Sequence, residues 1–180
     1  MKNYIIFLRG VNVGGHATIK MDNLKNALLE KQYHNVKSYI NSGNLVLSTL
    51  QDKPILMESV SEIIQSKFNL TIGMIIKTKE ELHSIIANDP FDKEKETDNA
   101  KKVVAMLSER IDPAKARIFK TEGKIVENYY INGDLLYIYY QLGAGTSKLT
   151  NNYIEKKLNV ISTARNWNTI LKMSEIAETM

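Results

Sequence analysis

Short apolar runs alternate with stripes at helical spacing, and the whole order occurs twice. Tyr4–Leu8 is a continuous apolar run and reads as a buried strand. A polar, glycine-bearing segment follows from Arg9 to Lys20. Leu24, Ala27, Leu28 and Lys31 then recur at helical spacing, with Asp22 in the first turn, where the helix dipole favours an acid. Val36–Ile40 and Leu45–Ser48 are strand-like. Asn41-Ser42-Gly43-Asn44 between them is turn chemistry, so the pair reads as a hairpin. Pro54 opens a second helix with the stripe Met57, Val60, Ile63 and Ile64, and Thr71–Ile76 supplies a fourth strand. A helix from Thr78 to Ala87 leads out.

The second round begins at the strand Val103–Leu107. Asp112-Pro113 opens a short helix to Phe119. Ile125–Ile131 and Leu135–Tyr140 flank Asn132-Gly133, a strong hairpin signal. Leu149, Tyr153 and Leu158 mark a helix ending at Asn159, Val160–Thr163 a short strand, and Trp167–Glu178 a closing helix. Strand–helix–strand–strand–helix–strand is the ferredoxin-like pattern. The expectation is an α+β fold of two ferredoxin-like (βαββαβ) halves, each a four-stranded antiparallel sheet in the order 4-1-3-2. The boundaries are 1–78 for the first half, 79–101 for a connecting helix and charged loop, and 102–180 for the second half with its C-terminal helix. Asn88–Asn99 is the most charged and least apolar stretch and reads as a linker or mobile loop. Residue identity between the halves is low, so the repeat is one of element order.

Composition narrows the chemistry. The 180 residues are 43% hydrophobic and 24% charged, ordinary for a globular protein and contrary to wholesale disorder. Cysteine is absent, which excludes disulfides, a thiolate nucleophile and Cys-ligated zinc. The first apolar run stops at Arg9, too short for a signal-peptide core, and no segment approaches the ~20 apolar residues of a membrane helix. A cytoplasmic location without a membrane partner is expected. The net charge is +4, and Ala144–Lys172 alone carries five cations against Glu155, so the remainder sums to zero. Such a local basic surface suits an anionic partner, or is a solvated lysine-rich helix face.

The topology brings polar residues together. The loop after the first strand and the hairpin after the second share one end of the sheet, so Arg9-Gly-Val-Asn-Val-Gly-Gly-His16 should meet Asn41–Asn44. Gly10, Gly14 and Gly15 allow positive φ and close backbone approach, Arg9 can clamp an anion, and Asn12, Asn41 and Asn44 offer donors and acceptors. A structural turn built from Asn and Gly has the same composition. In the second half the last two strands end together, which predicts Lys148, Arg165 and Asn166 as neighbours beside a Gly143–Ser147 loop entering a helix. Trp167 is either a stacking surface or a core anchor, and the tyrosines of Tyr129–Tyr140 are sheet packing rather than an RNA-binding face. His16, His34 and His83 are scattered, Ser42 has no His–Asp partnership, and no metal site, cofactor or hydrolase triad is indicated.

Several of these residues fall in recognisable motifs. Phe7-Leu-Arg-Gly-Val-Asn-Val-Gly-Gly15, Lys20-Met21, Tyr39-Ile-Asn-Ser-Gly-Asn44, Asn88-Asp-Pro-Phe91, Leu136–Tyr140, Gly145–Leu149 and Thr163–Asn168 closely resemble the bacterial family catalogued as domain of unknown function 1697. The resemblance spans nearly the whole chain and implies tandem ferredoxin-like halves. It implies no activity, substrate or cofactor, and its Asn88–Phe91 motif argues against a mere linker there. Three readings stand. In the first, a phosphorylated or nucleotide-like small ligand binds between the halves, held by Arg9, Asn12, Gly14, Gly15, Lys20, Asn41, Ser42 and Asn44 with Ser147, Lys148, Arg165, Asn166 and Trp167. In the second, an enzyme acts on such a ligand with Lys20 or Lys148 as acid–base group or charge stabiliser. The third is an RNA-binding or protein-interaction module using the basic C-terminal surface.

Overall fold

Each half is organised around its first strand. A computed structural model describes residues 1–14, 17–92, 98–122 and 125–180, without the side chains of 120–122. In the first half β1 (Lys2–Leu8) lies between β3 (Asn44–Thr49) and β4 (Met74–Thr78), and β2 (His34–Tyr39) extends the sheet beyond β3. All pairings are antiparallel. Helices α1 (Met21–Glu30) and α2 (Lys53–Phe68) connect the strands, and α3 (Lys79–Ala87) follows. The second half repeats the plan with β5 (Lys102–Leu107), α4 (Pro113–Glu122), β6 (Asn128–Asn132), β7 (Leu135–Tyr139), α5 (Asn151–Leu158), β8 (Ser162–Asn166) and α6 (Trp167–Glu178). Its sheet order is β6-β7-β5-β8. Numbered from its own first strand, each sheet therefore runs 4-1-3-2.

Strand alternation places Tyr4, Ile6 and Leu8 on one face of the first sheet. There they join Leu45, Leu47, Met74 and Ile76 beneath Leu24, Ala27 and Leu28 of α1 and Leu56, Val60, Ile63 and Ile64 of α2. Ile5, Phe7 and Val46 on the other face are also fully buried, which is why this run carries no polar alternation. Met57, read as part of the α2 stripe, is exposed, and Leu56 takes the inward position instead. In the second half Ala105, Leu107, Leu136 and Ile138 pack with Phe119 of α4 and Ile154 and Leu158 of α5.

The likeness of the two halves is visible in backbone bonds that sequence identity does not show. Leu8 N–H donates to Gly43 O at 2.8 Å, and Leu107 N–H donates to Asp134 O at 2.9 Å. Arg9 N–H reaches Gly73 O at 2.8 Å, and Ser108 N–H reaches Ile161 O at 2.9 Å. Both second helices end on a left-handed Asn, Asn69 at φ 53° and Asn159 at φ 56°. Asparagine tolerates that conformation because its short polar side chain bonds locally.

The chain divides into two compact units, Met1–Ile85 with Lys172–Met180, and Ile86–Leu171. These differ from the boundaries drawn at 78 and 102. Within the first unit the end of α6 is tied to α3: Glu178 meets Lys79 at 2.5 Å and His83 at 2.6 Å. Lys37 of β2 donates to Thr179 Oγ1 at 3.2 Å. The last strand also differs. Val160–Thr163 was the expected strand, but β8 is Ser162–Asn166, so Arg165 and Asn166 belong to the sheet rather than to a loop beyond it. The hairpin of the second half turns on Gly133 and Asp134, one residue later than Asn132-Gly133, with Gly133 at φ 64°. Among the described residues no helix is long and apolar enough to cross a membrane.

Gly43 combines φ 78° with a tight approach: a Cβ there would stand 2.7 Å from Leu8 Cβ. Gly10 has φ 66° but open space where its Cβ would be. Gly43→Ala should therefore cost about 2–4 kcal/mol, adding overpacking to backbone strain, and Gly10→Ala about 1 kcal/mol from strain alone. Urea unfolding of both variants measures the difference, and equal losses would contradict it.

Candidate functional site

The loop after β1 and the tip of the β2–β3 hairpin do meet, and Asn12 joins them. Asn12 adopts φ 57°, and its backbone N–H donates to Ala17 O at 2.8 Å. Its Oδ1 accepts Ile19 N–H at 3.0 Å, while Nδ2 donates to Ile19 O at 2.8 Å and to Asn41 O at 2.6 Å. One side chain thus closes the loop on itself and fastens it to the hairpin. Val11, beside it, is buried and anchors the loop to the core.

Beneath this strut lies a polar cavity of about 560 Å³, with Thr18, Lys20, Asn23, Ser38 and Asn41 in its wall. It opens on the start of α1. Lys20 occupies the N-cap position in an extended conformation and makes no side-chain capping bond. Asn23 N–H turns back to Lys20 O at 3.0 Å, and the helix start carries the positive end of the helix dipole. Asp22 also lines the cavity and lies 3.6 Å from Lys25, which partly answers its charge. Ile40, another lining residue, has φ 49° and is 52% exposed. A β-branched residue in the left-handed region costs about 1–2 kcal/mol, so backbone strain is held at the cavity wall.

The other residues singled out in the first half have varied positions. Lys20 and Asn41 line the cavity and are exposed. Asn44 is fully buried, and its Nδ2 donates to Tyr39 O at 3.1 Å and Ser42 Oγ at 3.0 Å, which places both inside the hairpin. Arg9 is half-buried at the end of β1 and engages other groups of the protein. Gly14 has φ 67°, consistent with the glycine requirement there, and Gly15 lies outside the described residues.

In the second half the expected neighbours are separated. Ser147 Oγ bonds the Glu127 carboxylate and accepts Leu149 N–H at 2.9 Å. Tyr140 donates to Leu149 O at 2.6 Å, so the Lys148 loop is stitched to the helix-side core. Arg165 lies in one row with Val104 and Tyr137 and faces away from the side where Ala105 and Ala164 pack. The sheet therefore separates Arg165 from the Lys148 loop. Arg165 is 8% exposed and donates to Thr163 Oγ1 at 2.8 Å and Ala164 O at 2.9 Å. Burial lowers its pKa to about 10. Asn166 accepts Asn168 N–H at 2.9 Å, capping α6, and donates to Ala100 O at 2.8 Å. Trp167 is buried, with its ring 6.5 Å from Tyr137, and serves as a core anchor.

Sequence reasoning missed a buried ion pair. Asp89 and Lys102 meet at 2.7 Å with both side chains 5% exposed. Asp89 Oδ1 also accepts Phe91 N–H at 2.9 Å, and Lys102 Nζ sits 5.6 Å over the Trp167 ring. Phe91 is buried edge-on against Tyr130 at 5.3 Å. The start of Asn88–Asn99 is therefore an anchor on the second sheet rather than a solvated linker, and 93–97 lie outside the described residues. The available signal was Phe91, a large apolar residue inside a charged stretch. Among the described residues no group of three or more metal-ligating side chains assembles.

The family model described as "Protein of unknown function (DUF1697)" matches residues 1–137. The chain belongs to this family. Its matched span contains the Asn12 strut, the α1 cavity and the Asp89 anchor, whereas Ser147–Trp167 lies beyond it. Among solved structures, a conserved bacterial protein from Streptococcus pneumoniae is 20% identical, with a TM-score of 0.72 over 98% of each chain. That likeness shows a shared fold. No curated protein matches the chain.

Two outcomes follow from the buried groups. Asp89→Ala leaves Lys102 buried without its counter-charge and should cost about 3–5 kcal/mol in denaturant unfolding; adding Lys102→Met should recover part of that loss. Burial also pushes the phenols of Tyr137 and Tyr140 up to about 12 from an ordinary 10.0. Between those values the unfolded chain gives up protons that the folded chain keeps, so stability is intact below pH 10 and falls as pH rises toward 12. Phenolate absorbance and urea midpoints across that window measure it, and Tyr137→Phe should flatten the slope.

Proposed function

We propose that the protein binds a small phosphorylated or nucleotide-like ligand in the polar cavity at the start of α1, on a scaffold whose halves are each ferredoxin-like. The observation that carries this reading is the cavity itself: Lys20 and the start of α1 share a wall with neutral polar groups from two distant segments. Amides at a helix start and a lysine ammonium are complementary to a phosphate group. Thr18, Asn23, Ser38 and Asn41 supply hydroxyls and amides suited to a sugar or base edge. Asn12 contributes shape, because its amide is used within the chain. Asp22 in the same wall disfavours a polyphosphate, so the reading is a ligand with one charged group. The strain at Ile40 supports it further, since strained backbone gathers where a surface is held ready for a partner.

Calorimetric titration with inorganic phosphate, ribose 5-phosphate and adenosine monophosphate tests the reading. At least one phosphorylated compound should bind with a Kd of about a millimolar or tighter and raise the melting temperature. Lys20→Ala should weaken it about tenfold with the fold intact by circular dichroism. Absence of binding by all three, or unchanged affinity in Lys20→Ala, would count against it.

A further inference from the structure

The second half carries a cavity where the first half has its own. Leu107 N–H is bonded to Asp134 O, and Ile111 N–H donates to Gly133 O at 3.0 Å, so the loop after β5 is fastened to the β6–β7 hairpin. The same three features converge as in the first half: the loop after the first strand, the start of the first helix and the hairpin tip. The chemistry differs. A cavity of about 460 Å³ is floored by Ile111, Pro113, Ala116 and Ile131, and Arg110 and Arg117 stand in its wall.

Arg110 owes its position to a glycine. Its guanidinium carbon and one Nη lie 3.3 Å from where a Cβ on Gly133 would be, so the planar group rests against bare backbone. Arg110 makes no hydrogen bond or ion pair with any described residue, whereas Arg117 has a partner within the protein. Of the acids near the cavity, Asp112 is turned to its own helix, accepting Ala114 N–H at 2.7 Å, and Asp134 is the second residue of the hairpin turn.

We infer that this cavity is a second anion site, for a phosphate monoester carrying an apolar or aromatic group. Guanidinium forks match a dianionic phosphate with paired hydrogen bonds, and the apolar floor takes the body of the ligand. Asp112 and Asp134 at its margin oppose an extended polyanion such as a nucleic-acid strand, which favours a small ligand. The site is independent of the α1 cavity and requires neither Lys20 nor Asn12.

Calorimetric titration of the full chain with phenyl phosphate, inorganic phosphate and a short single-stranded oligonucleotide separates the alternatives. Phenyl phosphate should bind at least about fivefold tighter than inorganic phosphate. Arg110→Ala should weaken phenyl phosphate about tenfold, and Arg110→Lys should fail to restore it because an ammonium lacks the planar fork. Lys20→Ala should leave phenyl phosphate binding unchanged, which keeps this result distinct from the α1 reading. Arg110 is exposed, and circular dichroism of each variant confirms the fold. The inference is overturned by absence of phenyl phosphate binding, or by wild-type affinity in Arg110→Ala. It is equally overturned by dependence on Lys20 in place of Arg110, or by an oligonucleotide displacing phenyl phosphate from the arginines.

Discussion

One backbone hydrogen bond in each half decides where its polar groups gather. Leu8 N–H to Gly43 O and Leu107 N–H to Asp134 O tie the last residue of the central strand to the neighbouring hairpin turn. The chain leaving that strand must then pass under the turn before it can begin the first helix. The first helix start, the loop and the turn are thereby held within one small volume. Gly43 allows this in the first half, because the turn packs against Leu8 at a distance no side chain tolerates. In the second half the glycine of the turn serves a different neighbour, the guanidinium of Arg110.

The same constraint explains how the asparagines are used. A loop of about a dozen residues crossing a sheet end leaves backbone groups that must be paired. Asn12 pairs two carbonyls and one amide with three bonds from one side chain. Asn44 does similar work within the hairpin. Those side chains are spent on groups of the chain itself, and Thr18, Lys20, Asp22, Asn23, Ser38 and Asn41 form the rest of the cavity's polar wall.

Element order, the antiparallel sheets and the meeting of Arg9–His16 with Asn41–Asn44 were legible because they follow from period, turn chemistry and topology. The Asn159 helix end was legible because only a few residues accept a left-handed cap. Arg165 was not. A strand reading Ser-Thr-Ala-Arg-Asn violates the expectation that buried positions are apolar, and the guanidinium of its arginine bonds Thr163 and backbone within the protein. Asp89 and Lys102 were hidden for a related reason: two charged residues thirteen apart look like solvated surface until the fold buries both together. Asn12 and Asn44 serve as backbone struts, the alternative their composition allowed, since a ligand-reading amide and a strut use the same atoms.

Two halves with matching backbone bonds and dissimilar side chains are the arrangement expected when a scaffold is conserved in geometry and its cavities diverge in chemistry. The first cavity has one lysine, neutral amides and hydroxyls, and a nearby carboxylate. The second has guanidinium groups above an apolar floor. A ligand suited to one is poorly suited to the other: a hydroxyl-rich compound would leave its polar groups unpaired against Ile111 and Ile131, and an aromatic one would bury the Asn41 and Ser38 groups without partners. The unpaired group in either mismatch costs more than the lost contact itself, so even cavities of similar size would discriminate. One pattern of backbone bonds thereby shapes two cavities of different chemistry.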